Sequence, residues 1–183
     1  MNTKRGLLGY YNYTVILTYI GLLTALLGVA RMLDSDARGA IICLMVAGLC
    51  DMFDGAIAST RPRMPKEKRF GIQIDSLCDL VCFGVLPAFI TYSVNVGNVH
   101  YSGRLTKAVC GFYVLAALIR LAYFNVMEEE RQQLTTGHRE EYLGLPVTTA
   151  ALLLPGLFGV VCLTALPLAG GSLLLLAAMG VAF

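Results

Sequence analysis

Asp51-Met52-Phe53-Asp54-Gly55-Ala56-Ile57-Ala58 closes one long apolar run, and Gly71-Ile72-Gln73-Ile74-Asp75-Ser76-Leu77-Cys78-Asp79 opens the next. Four carboxylates at the edges of membrane-grade sequence need a counter-charge, because each costs roughly 2.5 to 3.5 kcal/mol on insertion scales. Neither stretch contains a Lys or Arg to supply it. Asp51 and Asp54 are spaced i, i+3, and Asp75 and Asp79 are spaced i, i+4, so on helices each pair projects from one face. Two such helices packed together gather all four carboxylates in one pocket. Hard oxygen ligands of this kind select Mg²⁺ or Mn²⁺, which also draw ligands from water and substrate phosphate. Gly55 and Gly71 remove side chains beside that pocket and let a bulky polar group approach the backbone.

The surrounding sequence is that of an all-α integral membrane protein. Of its 183 residues, 57% are hydrophobic and 14% charged, and the mean hydropathy is positive; a soluble domain needs far less apolar surface. Apolar runs over 13–32, 39–58, 72–94, 105–127, 145–166 and 167–183 predict a bundle of six transmembrane helices in one domain over 1–183. The last run is short and reads as a truncated or re-entrant span. Met1–Asn12, with Lys4, Arg5, Leu7, Leu8, Tyr10 and Tyr11, predicts a short interfacial helix. No small-residue cleavage site follows the first apolar run, so a cleaved leader is not expected. The six cysteines fall within apolar runs without a Cys-x-x-Cys pair, and disulfides are not expected.

Lys and Arg set the expected orientation. With the N-terminus inside, the cytoplasmic segments take Lys4, Arg5, the cluster from Arg61 to Arg69, Arg131 and Arg139, against Arg31, Arg38, Arg104 and Lys107 outside. That bias favours an N-inside protein of the cell membrane whose acidic pocket opens to the cytosol. The connection Arg61-Pro-Arg63-Met-Pro-Lys66-Glu-Lys68-Arg69 anchors topology. It also places five cations between the two carboxylate pairs, where they can hold a polyanion that bridges to the metal. An ion or proton pathway is the reading from a different class, but it spreads acids through the bilayer depth, whereas these gather at one end.

The run Asp51-x-x-Asp54-Gly55-x-x-Ala58, followed by Gly71-x-x-x-Asp75-x-x-x-Asp79, resembles the signature of the CDP-alcohol phosphotransferases. The resemblance implies a six-helix membrane enzyme, commonly a homodimer. It implies that Asp51, Asp54, Asp75 and Asp79 bind one or two divalent ions holding the CDP diphosphate, with Asp79 also the base toward the acceptor alcohol. Thr14, Gly55, Ala58 and Gly71 would border the nucleotide-lipid substrate. The family motif usually places Arg directly after the Ala, where this chain has Ser59; Arg61, Lys68 or Arg69 would then take over the phosphate contact.

Within that family, Asp75-Ser-Leu-Cys-Asp79-Leu-Val-Cys-Phe-Gly84-Val-Leu-Pro87-Ala, Arg120-Leu-Ala-Tyr-Phe-Asn125 and Gly144-Leu-Pro146 resemble the branch that transfers a phosphatidyl group to serine. The glycerol-phosphate branch typically has Pro and Lys where this chain has Ser76 and Leu80. The substrates implied are CDP-diacylglycerol and L-serine, with membrane lipid as surroundings and no nucleic acid as partner. Glycerol 3-phosphate or an inositol phosphate would be the alternative acceptors. Arg120 suits the carboxylate of serine through its planar fork, and equally suits a snorkelling or fold-supporting role.

Overall fold

The computed structural model describes residues 15–58, 64–96, 103–134, 145–164 and 168–183. The described residues form seven α-helices: α1 (Ile16–Leu33), α2 (Ala37–Ala58), α3 (Pro65–Asp79), α4 (Leu86–Val96), α5 (Gly103–Leu134), α6 (Ala150–Thr164) and α7 (Leu168–Ala182). A π-helical turn, Leu80–Val85, joins α3 to α4 without a break, and a 3₁₀ turn, Val147–Thr149, leads into α6. There is no strand among the described residues. Among the described residues, five helical segments are long and apolar enough to cross a membrane: Ile16–Leu33, Ala37–Ile57, Lys66–Val96, Gly103–Glu130 and Val147–Thr164. The sixth apolar run forms α7, whose apolar stretch Gly170–Ala182 is shorter than a span. The expected N-terminal interfacial helix lies outside the described residues.

Two helices outrun the apolar sequence that announced them. The segment from Pro65 begins seven residues before the expected span, because Pro65 occupies the first helical turn and Glu67 sits at the positive end of the helix dipole. The charged stretch from Lys66 to Arg69, read in the sequence as part of a connection, is therefore the start of α3. Likewise α5 continues through Glu128 to Leu134. Rods of 31 and 32 residues are roughly 45 Å long, more than the ~30 Å hydrocarbon core. The surplus ends of α3 and α5 are tied together by an Arg69–Glu129 ion pair at 3.3 Å.

Apolar side chains point outward as well as inward. Leu23, Leu27, Leu152, Leu163, Leu174 and Val181 are exposed, as a surface solvated by lipid permits. Small residues set the interior spacing. Gly21, Ala25 and Gly28 of α1 are buried against α2, and a Cβ at Gly28 would stand 3.0 Å from the Cβ of Cys43. Such close approach is how helices gain packing energy in an apolar solvent. The turn between them is closed by Asp36, whose Oδ1 accepts from the Gly39 N–H at 2.9 Å, with Ser35 in the left-handed region at φ 62°.

The π-helical turn has an evident local cause. Pro87 has no N–H to offer the carbonyl of Phe83 four residues earlier. The buried Tyr113 of α5 supplies the bond instead, donating from Oη to Phe83 O at 2.7 Å. Leu86 N–H pairs with Val81 O, five residues back. A further polar seam ties α7 to α4: buried Asn95 donates to Thr91 O at 2.7 Å and to Ser172 Oγ at 3.2 Å.

Candidate active site

Asp51 and Asp54 lie in the last two turns of α2, and Asp75 and Asp79 in the last turn and a half of α3. The rise along a helix separates the first pair by roughly 4.5 Å and the second by roughly 6 Å. Across the gap between the two helices the four pair crosswise. Asp51 meets Asp79, and Asp54 meets Asp75, carboxyl to carboxyl. Oxygens of Asp51, Asp54 and Asp75 all lie within 4.8 Å of one another. Carboxyl groups in such contact must share protons or a cation. The donor set is all oxygen, so it fits Mg²⁺ or Mn²⁺ and disfavours a thiol-seeking metal. Asp79 is not in that trio; it stands beside Asp51.

Two cavities flank the cluster, and Asp79 borders both. The smaller lies between α1, α2 and the π-helical turn, where Thr18, Gly21, Cys50, Cys78 and Cys82 surround the acids. Thr18 Oγ1 donates to Asp54 Oδ2 at 3.0 Å, both side chains being buried. The larger cavity, about 420 Å³, lies between α3, α5 and the turn before α6. Its polar lining is Lys68, Asp75, Ser76, Asp79, Arg120, Asn125, Glu128 and Thr148. Arg120 is half-buried there, and its Nη1 donates to the main-chain oxygen of Phe183 at 3.0 Å. Ser76 Oγ donates to Asn125 Oδ1 at 2.9 Å across the same wall.

The expected site residues sort accordingly. All four aspartates come together, and Lys68 and Arg120 share the larger cavity with two of them. Gly55 is exposed, with open space where a Cβ would go, and Gly71 is half-buried on α3. Ala58 ends α2; its side chain, together with Thr14, Ser59 and Arg61, lies outside what is described. Arg69, one of the residues considered in place of the motif arginine, is engaged with Glu129. Thr18, Ser76 and Asn125 were not picked out by sequence reasoning as site residues. Thr18 had a signal in the sequence, since it stands four positions after Thr14, the spacing of one turn in a helical run. All six cysteines are free.

The family described as CDP-alcohol phosphatidyltransferase matches residues 11–182. This chain belongs to that family. It is 39% identical over 111 residues to the CDP-diacylglycerol–serine O-phosphatidyltransferase of Helicobacter pylori (strain J99), an alignment covering 60% of this chain and 42% of that one. It is 31% identical over 137 residues to the archaetidylserine synthase of Methanothermobacter thermautotrophicus, covering 75% and 53%. The CDP-diacylglycerol–serine O-phosphatidyltransferase of Bacillus subtilis is 29% identical over 147 residues, covering 78% and 73%. The chain thus spans about half the length of the first two relatives and nearly three quarters of the third. No solved structure matches it.

Proposed function

We propose that this chain transfers the phosphatidyl group from CDP-diacylglycerol to L-serine, giving phosphatidylserine and CMP. The observation that carries the reading is the cavity in which Asp75 and Asp79 share a wall with Lys68 and Arg120. Two carboxylates, an ammonium and a guanidinium border one space, a set that suits a base, a phosphate contact and a carboxylate-binding fork. The relatives named for serine transfer support the acceptor.

The serine hydroxyl attacks the lipid-bearing phosphorus in line while the bond from that phosphorus to the CMP oxygen breaks, and CMP departs with the bonding pair. Asp79 takes the hydroxyl proton as general base. Asp51, Asp54 and Asp75, with Asp79 beside them, would hold Mg²⁺ or Mn²⁺, which when bound neutralises diphosphate charge. Thr18 fixes the Asp54 carboxylate. Lys68, with Arg61 from the neighbouring segment, attracts the diphosphate, and Thr14, Gly55, Ala58, Ser59 and Gly71 border it. Arg120 receives the serine carboxylate. Holding both substrates in one cavity supplies much of the acceleration through orientation.

The surrounding protein is proposed as one membrane domain over 1–183, a six-helix bundle in which α7 is the sixth member and Met1–Asn12 an interfacial helix. It works as a homodimer in the cytoplasmic membrane, with the N-terminus inside and the site facing the cytosol.

The test is CMP release from CDP-diacylglycerol by the purified chain in lipid nanodiscs with Mg²⁺ or Mn²⁺. L-serine, glycerol 3-phosphate and inositol phosphate are supplied in turn. Serine-dependent release, with phosphatidylserine formed in equal amount, is expected. Release driven by another acceptor and not by serine would overturn the assignment.

A further inference from the structure

Asn125 and Ser76 join α5 to α3 at the wall of the larger cavity, through the 2.9 Å bond from Ser76 Oγ to Asn125 Oδ1. An asparagine side chain has an accepting end and a donating end. Ser76 occupies the accepting end, which leaves the Nδ2 group as the donor toward the space the two residues line. Among the described residues that group makes no hydrogen bond. Arg120 lines the same cavity five residues earlier on α5, roughly 7.5 Å along the helix. Two N–H donors of different kinds, a guanidinium and an amide, thus border one space. Asp75, Asp79 and Glu128 place negative charge around the rest of it.

We infer that Asn125 is a specificity-determining residue whose amide N–H group meets the carboxylate of the acceptor amino acid, and that Ser76 is the positioning residue that fixes the amide in that sense. The inference rests on serine being the acceptor. Its physical basis is the asymmetry of the amide. Turned one way it donates to a carboxylate; turned the other it presents an oxygen, which suits an ammonium. The first orientation is the one observed, with the amide oxygen accepting from the Ser76 hydroxyl, and the ammonium of the amino acid faces the acidic side. An acceptor with hydroxyl and amine but no carboxylate leaves the Asn125 amide without its ligand, which is how a polar site rejects an analogue.

The experiment uses the full chain in nanodiscs and measures CMP release against L-serine and L-serinamide, with CDP-diacylglycerol titrated separately. Asn125→Ala should raise the serine KM by about tenfold, the scale of one bond to a charged group. Asn125→Asp should raise it further, because a carboxylate then faces the acceptor's own. In both, the preference for serine over serinamide should shrink, while the CDP-diacylglycerol KM stays within about twofold. Ser76→Ala should raise the serine KM by a few fold and Ser76→Thr, which keeps the hydroxyl, should restore it. Unchanged serine KM in both Asn125 variants would overturn the inference, as would equal losses for both substrates. If the Asn125 variants do not fold, the Ser76 pair decides: equal serine KM in Ser76→Ala and Ser76→Thr overturns it. A wild-type protein that ignores serine would overturn the proposed function itself, a result distinct from serine-dependent activity with indifferent variants.

Discussion

Thr18 of α1 and Asp54 of α2 are joined by a 3.0 Å hydrogen bond between buried side chains, 36 positions apart in the chain. The bond occupies one lone pair of Asp54 and fixes the direction of the others, toward Asp51 and Asp75. Partners of ligating carboxylates orient them, and losing one typically weakens metal affinity by about 10- to 100-fold. Thr18→Val removes the hydroxyl with little change of volume. The expected result is a half-saturating Mg²⁺ concentration raised at least about tenfold, with activity recovered at high Mg²⁺. A titration of activity and of Mn²⁺ binding against metal concentration checks both halves of that statement.

Asp54→Asn and Asp75→Asn keep the shape of the cluster but each removes a charge from the three-carboxylate group. Both variants should lose metal-dependent CMP release, and excess chelator should silence the wild type in the same way. Relief of carboxylate repulsion should leave the folded protein at least as stable without metal. Thermal unfolding in detergent with and without Mg²⁺ should show a metal-dependent rise in Tm for the wild type that both variants lack.

The Tyr113 hydroxyl replaces the donor that Pro87 cannot provide to Phe83 O. Tyr113→Phe leaves a buried carbonyl unpaired and should cost about 1–3 kcal/mol. Pro87→Ala returns an N–H four residues after Phe83, so the double variant should lose less than the sum of the singles. A double-mutant cycle on unfolding free energies measures that coupling.

Gly28 and Gly21 make contrasting demands on the α1–α2 contact. A Cβ at Gly28 falls 3.0 Å from Cys43 Cβ and 3.1 Å from both Leu86 methyls, whereas one at Gly21 meets its nearest atom at 3.4 Å. Gly28→Ala should therefore destabilise by about 1 kcal/mol or more through overpacking. Gly21→Ala should be neutral or slightly stabilising, as alanine is the better helix former. Comparing the two Tm values in one detergent separates close packing from helix propensity.

Carboxylates in apolar sequence are costly and helical periodicity is simple, so the i, i+3 and i, i+4 intervals were enough to expect Asp51, Asp54, Asp75 and Asp79 in one cluster, and the structure brings them together. Helix ends were harder to read, since Pro65–Arg69 and the end of α5 are helical but polar, and hydropathy registers apolar length alone. The bonds Thr18–Asp54, Ser76–Asn125 and Tyr113–Phe83 cross 36, 49 and 30 positions. No local pattern announces such pairings, which depend on how the helices pack. Arg120 was legible as a charge out of place, and the cavity it shares with Asp79 became visible with the fold.

The proposed chemistry turns on Asp79, which touches Asp51 on one side and lines the larger cavity on the other. The most direct measurement is the turnover of Asp79→Asn in nanodiscs at saturating CDP-diacylglycerol, serine and Mg²⁺, with CDP-diacylglycerol binding measured on the same preparation. The account predicts turnover lowered by about 10²-fold or more, the usual scale for loss of a general base, with nucleotide-lipid binding retained. Near-wild-type turnover with intact binding would contradict it, because the serine proton would then be leaving by another route.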